Sequence, residues 1–423
     1  MFVLVQISFL GGCQEIGGSG VLIESNHQKI LLDYGIYLRK IRRFPLHVSP
    51  RELSAIFLTH AHLDHSGAIP LLYMSENIPL YATSITLELT EILLNDLIKL
   101  SEYFLPFERA EVTRMFQCGI PTNNAGKISI GKTFNVKTID AGHIPGSFSV
   151  LIEVEGKKIL YTSDINTLET QLLNGANIDI QELDVLIIES TYGLRDHIDR
   201  KELEKGFIDA IYETVEDDGT ALIPAFAISR SQEILCILHS YDLNYPVSFD
   251  GMGKVASRIM LKYPQYLRDF KLFKKAHNNA HWIKSRKERD RIASEPGVIV
   301  APAGMLNGGN AVYYAQRLLD NQDNAIFLVG YQVTGTPGRV LLDKKELPIN
   351  GTSHKVNASV EYFDFSSHCG RKQLMNIIKG IKGSPSIFVV HGEEESCKTF
   401  AEDIKTIFGL SALAPKNGQT YQI

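Results

Sequence analysis

The chain has 423 residues and a formal net charge of −5, and 44% of its residues are hydrophobic while 22% are charged. This balance is typical of a globular protein and excludes a disordered, collagen-like or polytopic membrane chain. The length exceeds what one hydrophobic core usually supports, so we expect two domains. The five cysteines are odd in number and form no C-x-x-C pair, which favours a reducing, cytoplasmic location.

The first third of the chain has the pattern of short strands between glycine-rich turns. Apolar or alternating runs predict strands at residues 2–9, 21–24, 29–33 and 55–58. Apolar side chains then recur every three or four positions from residue 83 to about 104, which predicts a helix. Further runs predict strands at residues 128–139, 149–154, 158–161 and 185–188.

The pattern changes near residue 195, where helices begin to alternate with single apolar strands. The predicted helices are 201–215 and 231–239, and the predicted strands are 221–224, 297–301 and 325–330. Such alternation indicates β-α-β units and a parallel sheet. The tail predicts a helix at 371–379, a strand at 386–390 and a helix at 396–408. No run of about 18 apolar residues occurs, so we expect no membrane span.

Three histidines and one aspartate lie within six positions, in His60-Ala61-His62-Leu63-Asp64-His65. The cluster follows a predicted strand and precedes a helix-like stretch, so it lies in a loop at the carboxyl end of a strand. Imidazole and carboxylate are ligands that zinc accepts, and side chains two apart in such a loop can converge on one cation. A turn that merely caps the next helix is the alternative, but so many buried polar groups without partners would be costly.

Two more candidate ligands follow predicted strands in the same way. His143 lies in Asp-Ala-Gly-His, and Asp164 lies in Tyr-Thr-Ser-Asp. Taken singly, each would more often be a turn residue. Together they supply a third imidazole and a carboxylate able to bridge two metal ions.

These motifs make the chain recognisable. The order H-x-H-x-D-H, then Gly-His, then Ser-Asp resembles the metallo-β-lactamase superfamily. Three further landmarks resemble its β-CASP nuclease branch: Glu189 in E-S-T-Y-G, His368 in F-S-S-H and His391 in V-V-H-G-E. E-S-T-Y-G and an early Q-E-I-G are more similar to the endonuclease subunit of the cleavage and polyadenylation specificity factor and its archaeal and bacterial relatives than to RNase J.

Two departures from the family pattern leave the expected phosphate contacts open. Cys369-Gly370 follows His368 where an Ala-Asp or Thr-Asp pair is usual, and Ala301 replaces a common serine. Neither change removes a predicted ligand. The chain begins directly with its first predicted strand, so we expect no amino-terminal KH domain.

The resemblance implies an α/β fold and a division into domains. An αββα metallo-β-lactamase sandwich would comprise residues 1–193 and 360–423, the latter part carrying the RNA-metabolising motif. An α/β β-CASP domain, with a parallel sheet flanked by helices, would be inserted at residues 194–359. The active site would then lie in the cleft between the two domains.

The resemblance also implies two zinc ions per chain and the roles of the motif residues. One ion would be held by His60, His62, His143 and Asp164, and the other by Asp64, His65, His391 and the shared Asp164. Asp33 would orient ligand histidines by accepting an imidazole N–H. Catalysis would use Asp64 at the metal centre together with His368 and Glu189, the imidazole serving as the acid for the departing ribose oxygen.

Charge is concentrated in one segment. Twelve Lys and Arg residues and four acidic residues lie between Gly251 and Val300, a net charge of +8. Aromatic residues interleave with these bases, which is typical of a nucleic-acid surface. The alternative is an amphipathic helical stretch with a solvated basic face. We expect contacts to RNA from Ser366, Arg230, Lys254 and Arg258.

The sequence therefore favours a zinc-dependent ribonuclease that cleaves single-stranded RNA internally, in RNA processing or in 3′-end formation and decay. A 5′-to-3′ exoribonuclease of RNase J type would use the same chemistry. A non-catalytic scaffold subunit and a small-molecule hydrolase such as a thioesterase are alternatives from other classes, and single-stranded DNA is an alternative substrate. Homodimers and related β-CASP subunits are the expected protein partners, and no membrane is expected.

Overall fold

The computed structural model describes residues 4–37, 43–101, 105–123, 126–180, 182–349 and 351–423. The chain forms two compact units. The first comprises Met1–Glu169, Gly175–Asp196 and Ser367–Ile423, and the second comprises Thr170–Asn174 and His197–Ser366. The predicted domain boundaries at residues 194 and 360 fall close to the changes of unit, and we retain that division as a proposal.

The first unit contains two mixed sheets. One has the strand order β22-β1-β2-β3-β4-β5-β6, antiparallel from β22 to β3 and parallel from β3 to β6. Its strands are β1 (Gln6–Gly11), β2 (Gly20–Ser25), β3 (Gln28–Leu32), β4 (Leu53–Phe57), β5 (Leu80–Thr83), β6 (Gly119–Thr122) and β22 (Thr420–Gln422).

The other sheet of this unit has the order β21-β20-β11-β10-β9-β8-β7, antiparallel from β7 to β10 and parallel from β10 to β21. Its strands are β7 (Lys127–Ile130), β8 (Phe134–Asp140), β9 (Phe148–Val154), β10 (Lys157–Tyr161), β11 (Val185–Glu189), β20 (Ser386–Val390) and β21 (Ala412–Leu413). The helices of the unit are α1 (Leu63–Ser66), α2 (Ser84–Ser101), α3 (Arg109–Gln117), α11 (Arg371–Gly380) and α12 (Glu394–Phe408).

Alternation along the strands divides the apolar side chains of this unit into layers. Phe9 and Ile23 of one sheet join Val150 of the other in a shared core. The neighbouring residue Leu22 faces the other way, into a cluster with residues of α2 and α3, while Leu186 joins residues of α11 and α12. Because successive strand side chains point to opposite faces, the two sheets pack together with helices outside them.

The second unit is built on one parallel sheet with the order β14-β13-β15-β12-β16-β19. Its strands are β12 (Thr220–Pro224), β13 (Val247–Phe249), β14 (His281–Trp282), β15 (Gly297–Ala301), β16 (Ala325–Leu328) and β19 (Ser359–Tyr362), and a separate hairpin joins β17 (Glu346–Ile349) to β18 (Thr352–Lys355). Its helices are α4 (Arg200–Glu216), α5 (Arg230–Ser240), α6 (Gly253–Met260), α7 (Phe270–Asn279), α8 (Arg286–Ile292), α9 (Gly309–Leu318) and α10 (Pro337–Lys344).

The predicted α/β class, with an αββα sandwich and a parallel-sheet insertion, is confirmed. Most predicted elements occur within a few residues of their expected bounds. The predicted strand 128–139 was wrong, because Gly131 adopts a φ of 56° and turns the chain between β7 and β8. The helix-like stretch after the histidine cluster is a 3₁₀ helix, Ile69–Tyr73. Residues 2–3 and 102–104 of two predicted elements lie outside the described residues.

None of the described helices combines the length and the hydrophobicity that a transmembrane span requires.

Candidate metal centre

The motif residues gather because they follow the ends of neighbouring strands in the first unit. Glu189 is the last residue of β11. The others lie just beyond a strand: Asp33 after β3, His60 and His62 after β4, His143 after β8, Asp164 after β10, and His391 after β20. Asp64 and His65 lie on α1, and His368 precedes α11. The predicted ligands are therefore side chains of short loops held by a rigid sandwich.

His60, His62, His143 and Asp164 form one compact group, whose candidate ligand atoms all lie within 4.8 Å of one another. The Nε2 atom of His143 lies 3.2 Å from Nδ1 of His62. Oδ2 of Asp164 lies 3.7 Å from Nε2 of His60 and 3.6 Å from Nε2 of His143. Three imidazoles and one carboxylate oxygen thus converge on one point.

Asp64, His65 and His391 form a second group, whose candidate ligand atoms also lie within 4.8 Å of one another. Nε2 of His391 lies 3.4 Å from Oδ2 of Asp64. Oδ1 of Asp164 lies 3.4 Å from Nε2 of His65 and 3.3 Å from Nδ1 of His391. Asp164 therefore presents one carboxylate oxygen to each group.

Most of these side chains are held in the protonation states that metal ligands require. Burial lowers the pKa of His60 and of His143 well below the ordinary value, and lowers that of His62 to about 4. Burial opposes ionisation of Asp164, but the charges of His391 and His65 outweigh it and lower its pKa. Neutral imidazoles and an ionised carboxylate are the ligand forms that bind a cation.

His65 differs in its protonation because it lies between two carboxylates. Burial acts to lower its pKa, yet Asp164 and Asp33 raise it well above the ordinary value. Nδ1 of His65 lies 2.8 Å from Oδ2 of Asp33, and its Nε2 faces Asp164. The Nε2 proton is therefore the one that a cation would have to displace.

The donor set fits a divalent metal such as zinc. Nε2 of His60 is fully buried and makes no hydrogen bond with any described residue, although Nδ1 of the same ring lies 3.2 Å from the Thr59 hydroxyl. A buried ring nitrogen without a hydrogen-bond partner is costly unless a ligand completes it. Nitrogen and oxygen donors in groups of three and four match the coordination that zinc accepts.

Asp33 anchors the histidine loop through hydrogen bonds to Thr59 and His65. Its Oδ1 accepts the Thr59 backbone N–H at 2.8 Å, and its Oδ2 accepts the hydroxyls of Thr59 at 2.8 Å and Tyr161 at 3.1 Å. The same Oδ2 accepts the Nδ1–H of His65. A carboxylate that holds a histidine N–H leaves the other ring nitrogen aimed at the metal position.

Two further contacts orient ligand rings, and sequence reasoning missed both. The carbonyl oxygen of Ser367 lies 2.8 Å from Nδ1 of His143 and accepts its proton. The hydroxyl of Thr191 lies 3.2 Å from Nδ1 of His391 and 3.1 Å from the carbonyl of the same residue. Both residues adjoin recognised motifs, but nothing in the sequence identifies which ring they contact.

Three residues of the site adopt left-handed backbone conformations that non-glycine residues rarely occupy. Asp33, Ser163 and His391 have φ values of 57°, 52° and 47°. Such conformations cost about 1–3 kcal/mol each and persist only where surrounding contacts impose them. Their concentration around one cluster is typical of a functional site.

His368, which is partly exposed, forms an ion pair with the buried Glu189 beside the first group. Nδ1 of His368 lies 2.9 Å and 3.0 Å from the two carboxylate oxygens of Glu189. Burial acts to lower the pKa of His368, but Glu189 and then Asp164 outweigh it and raise the pKa to about 9. The imidazole is therefore a cation at neutral pH, with its Nε2 side 3.9 Å from Oδ2 of Asp164.

Cys369, the departure noted after His368, is fully buried. Its backbone N–H donates to the carbonyl of Ile165 at 2.7 Å, and its thiol lies 3.6 Å from the Thr167 hydroxyl. The Ile165 N–H in turn donates to Glu189 at 2.8 Å. Cys369 thus links the loop after Asp164 to the loop that carries His368.

The predicted RNA contacts Ser366, Arg230, Lys254 and Arg258 belong to the second unit. Arg230 is buried at the start of α5. The Lys254 ammonium is bound by Asp250 at 3.3 Å and by the carbonyl of Ile283, and Arg258 lies over the Trp282 ring at 5.4 Å. Their role as substrate contacts stays a prediction.

Comparison with known proteins places both units in one family. Three family models match the chain: the anti-Pycsar protein Apyc1 at residues 13–188, the Beta-Casp domain at 231–341, and the Zn-dependent metallo-hydrolase RNA specificity domain at 353–415. A crystal structure of a protein of unknown function from Enterococcus faecalis V583 covers 99% of this chain and 100% of its own with a TM-score of 0.64. At 16% identity this likeness concerns the fold alone.

Several relatives are similar over almost the whole chain. The RNase aCSPSF2 of Saccharolobus solfataricus is 40% identical over 98% of this chain and 84% of its own length. The probable RNase MJ4 of Methanocaldococcus jannaschii is 36% identical over 99% and 100%, and the transcription termination factor FttA of the same organism is 34% identical over 98% and 71%. The chain therefore belongs to the β-CASP nuclease family of the metallo-β-lactamase superfamily.

Proposed function

We propose that the chain is a zinc-dependent ribonuclease that hydrolyses phosphodiester bonds within single-stranded RNA, in RNA processing or in 3′-end formation and decay. The observation that carries this proposal is the carboxylate of Asp164, whose two oxygens face two separate histidine groups. The relatives named as RNases support RNA as the substrate.

Two zinc ions are the proposed cofactors. The first would be held by His60, His62, His143 and Asp164, and the second by Asp64, His65, His391 and the shared Asp164. When bound, such ions neutralise charge on a scissile phosphate and lower the pKa of an attacking water. The chain contributes the fixed positions of the ligand atoms, which the strand ends and the Asp33 network hold in place.

His368 is the proposed proton donor to the departing ribose oxygen. Glu189 holds the ring through Nδ1 and keeps it charged, so the proton on Nε2 is available on the side that faces Asp164. A donor with a pKa near 9 is fully protonated at neutral pH. Glu189 itself is fixed by the Ile165 N–H, which holds the carboxylate toward the imidazole.

Cleavage of circular RNA is expected, and it is the most direct test of internal cleavage. Purified protein should cut both a linear RNA and its circular form, and a metal chelator should stop both reactions. Cleavage of the linear form alone would indicate the 5′-to-3′ exoribonuclease alternative. Metal-loaded protein that cleaves neither form would contradict the proposal and favour a scaffold subunit, and equal cleavage of matched single-stranded DNA would contradict RNA selectivity.

Replacing Asp33 by asparagine is expected to weaken zinc binding by about 10- to 100-fold without removing a ligand. Asparagine has one acceptor oxygen in place of two, so it cannot accept both the Thr59 backbone N–H and the Nδ1–H of His65, and the ring is held less firmly. Zinc affinity can be measured by competition with a chromophoric chelator. Tyr161→Phe is the graded comparison, because it removes one hydroxyl from Asp33 and should cost less. Unchanged affinity in Asp33→Asn would contradict the assigned orientation.

A further inference from the structure

Helix α7 of the second unit carries an exposed row of lysines. Lys271, Lys274 and Lys275 are all exposed and make no ion pair with any residue that the structure describes. They lie three and four positions apart, so they share one face of the helix. The opposite face packs Phe273 and Ala276 into the unit. We call these three residues the lysine face.

The acidic residues of the surrounding segment cannot neutralise the lysine face. Of the four acidic residues between Gly251 and Val300, three contact other side chains, and Asp269 is the N-cap of α7, where its single charge can offset at most one of the three ammonium groups. Their contacts are Asp269 with the backbone N–H groups of Lys271 and Leu272, Glu288 with His281, Asp290 with Arg317, and Glu295 with Arg291. At least two of the three positive charges of the lysine face are therefore left uncompensated within its own segment.

The lysine face opposes the stability of its own helix. Like charges at these spacings repel one another, and Lys271 in the first turn opposes the positive end of the helix dipole. Other helices avoid this cost with ion pairs four residues apart: Lys205 with Asp209 on α4, Arg339 with Asp343 on α10, and Lys398 with Glu394 on α12. A cluster that violates the local rule with no compensation beyond its N-cap is typical of a binding surface.

The aromatic residues of the segment differ in how far they pack into the unit. Phe273 is fully buried. The Trp282 ring lies 4.2 Å from that of His277 and 5.6 Å from that of Phe249, and its indole N–H donates to the His277 carbonyl. Phe273 and Trp282 are thus held by contacts within the unit, whereas Tyr263, Tyr266 and Phe270 are partly exposed. The lysine face itself consists of charged side chains alone.

We propose that the lysine face of α7 binds the phosphate backbone of single-stranded RNA without reading its sequence. This inference rests on the proposed function for the identity of its ligand, and it makes phosphate contact the source of affinity at this face. Lysine ammonium groups suit a phosphate backbone because they are compact charges that need no fixed orientation. Such contacts release counterions, so binding through this face must depend steeply on salt.

The test is a titration of labelled single-stranded RNA against K271Q/K274Q/K275Q over a range of salt concentrations. Metal-loaded protein carrying His368→Ala is used so that the RNA persists, and the titration is repeated with chelator. Loss of three phosphate contacts should flatten the plot of log affinity against log salt by about 2 units and weaken binding roughly a hundredfold at about 0.1 M salt. Matched single-stranded DNA should lose as much affinity, since it shares the phosphates.

K201Q/K344Q/K355Q is the matched control, because it removes the same charge from exposed lysines of α4, α10 and β18 that form no ion pair with any described residue. It should change affinity far less and leave the salt slope unaltered. K271R/K274R/K275R should keep wild-type binding, and thermal melting should show that the glutamine variant is at least as stable as wild type. Equal losses in the glutamine variant and the control, or a loss for DNA alone, would overturn the inference.

The outcomes separate this inference from the proposed function. If the wild-type protein binds RNA through the lysine face but never cleaves it, the proposed ribonuclease activity is contradicted and the proposed RNA-binding surface is supported. If the wild-type protein cleaves RNA and the glutamine variant has an unaltered salt slope, the proposed surface is contradicted and the ribonuclease activity is supported.

Discussion

Replacing Asp164 by alanine is expected to reduce RNA cleavage by at least about 10³-fold and to lower the zinc content of the purified protein. Asp164 is the one described side chain whose two carboxylate oxygens face both ligand groups, at 3.3–3.7 Å from four histidine nitrogens. Its removal takes an oxygen ligand from each proposed ion and leaves buried imidazoles without a counter-charge. No other single substitution should damage both metal positions.

The measurements are elemental analysis of zinc per chain and the rate of RNA cleavage. Asp164→Asn separates charge from shape, because an asparagine keeps one acceptor oxygen but turns an NH₂ group toward the other histidine group. We expect it to retain more zinc than the alanine variant while remaining severely impaired. Asp184→Asn, which removes a carboxylate bound to Lys157 in the same unit, is the control. Full zinc content together with wild-type cleavage in Asp164→Ala would refute the bridging role.

Several motif residues were predictable from sequence because they lie shortly after an apolar strand. His60, His143 and Asp164 lie just past β4, β8 and β10, and a strand's pattern predicts where its end falls. Packing of the two sheets that contain these strands then brings the loops together. The parallel sheet of the second unit was predictable for a similar reason, since single apolar strands alternate with helices there.

The contacts that orient the ligand rings were not predictable, because they join residues distant in sequence. Thr59 reaches Asp33 and Ser163, and Tyr161 reaches Asp33, through hydroxyls whose targets depend on how the two sheets pack. Ordinary threonines and tyrosines carry no spacing signal of such a role. Only the packed sandwich shows which hydroxyl meets which carboxylate.

The basic segment shows a different limit of sequence reasoning. The net charge of the segment could be counted from its composition, but the group that each charged side chain contacts could not be predicted. Lys254 and Arg289 both contact the buried carboxylate of Asp250, which composition could not reveal. The lysine face of α7 has no such partner among the described residues. The charge that remains for a ligand is therefore smaller and more localised than the sequence total.

Replacing His368 by alanine is expected to lower the rate of RNA cleavage by about 10²–10⁴-fold while leaving the zinc content unchanged. The imidazole lies outside the two proposed ligand sets, and its Nδ1 is held by Glu189. Glu189→Gln should produce a smaller loss, because the ring survives but loses the charge that keeps it protonated. The double variant should be no worse than His368→Ala, since the two residues act as one unit.

A substrate with a better leaving group distinguishes proton donation from a structural role. RNA in which sulfur replaces the departing ribose oxygen needs no acid, because a thiolate leaves without protonation. The defect of His368→Ala should therefore shrink markedly on that linkage, whereas the defect of Asp164→Ala should persist because water activation is still required. Testing sulfur at each of the two bridging positions also identifies which ribose oxygen departs. His354→Ala, an exposed histidine of β18, should behave as wild type on every substrate. If His368→Ala remained equally impaired on both sulfur linkages, or lost zinc, the residue would be positioning the metal ligands and the assigned proton donor would be wrong.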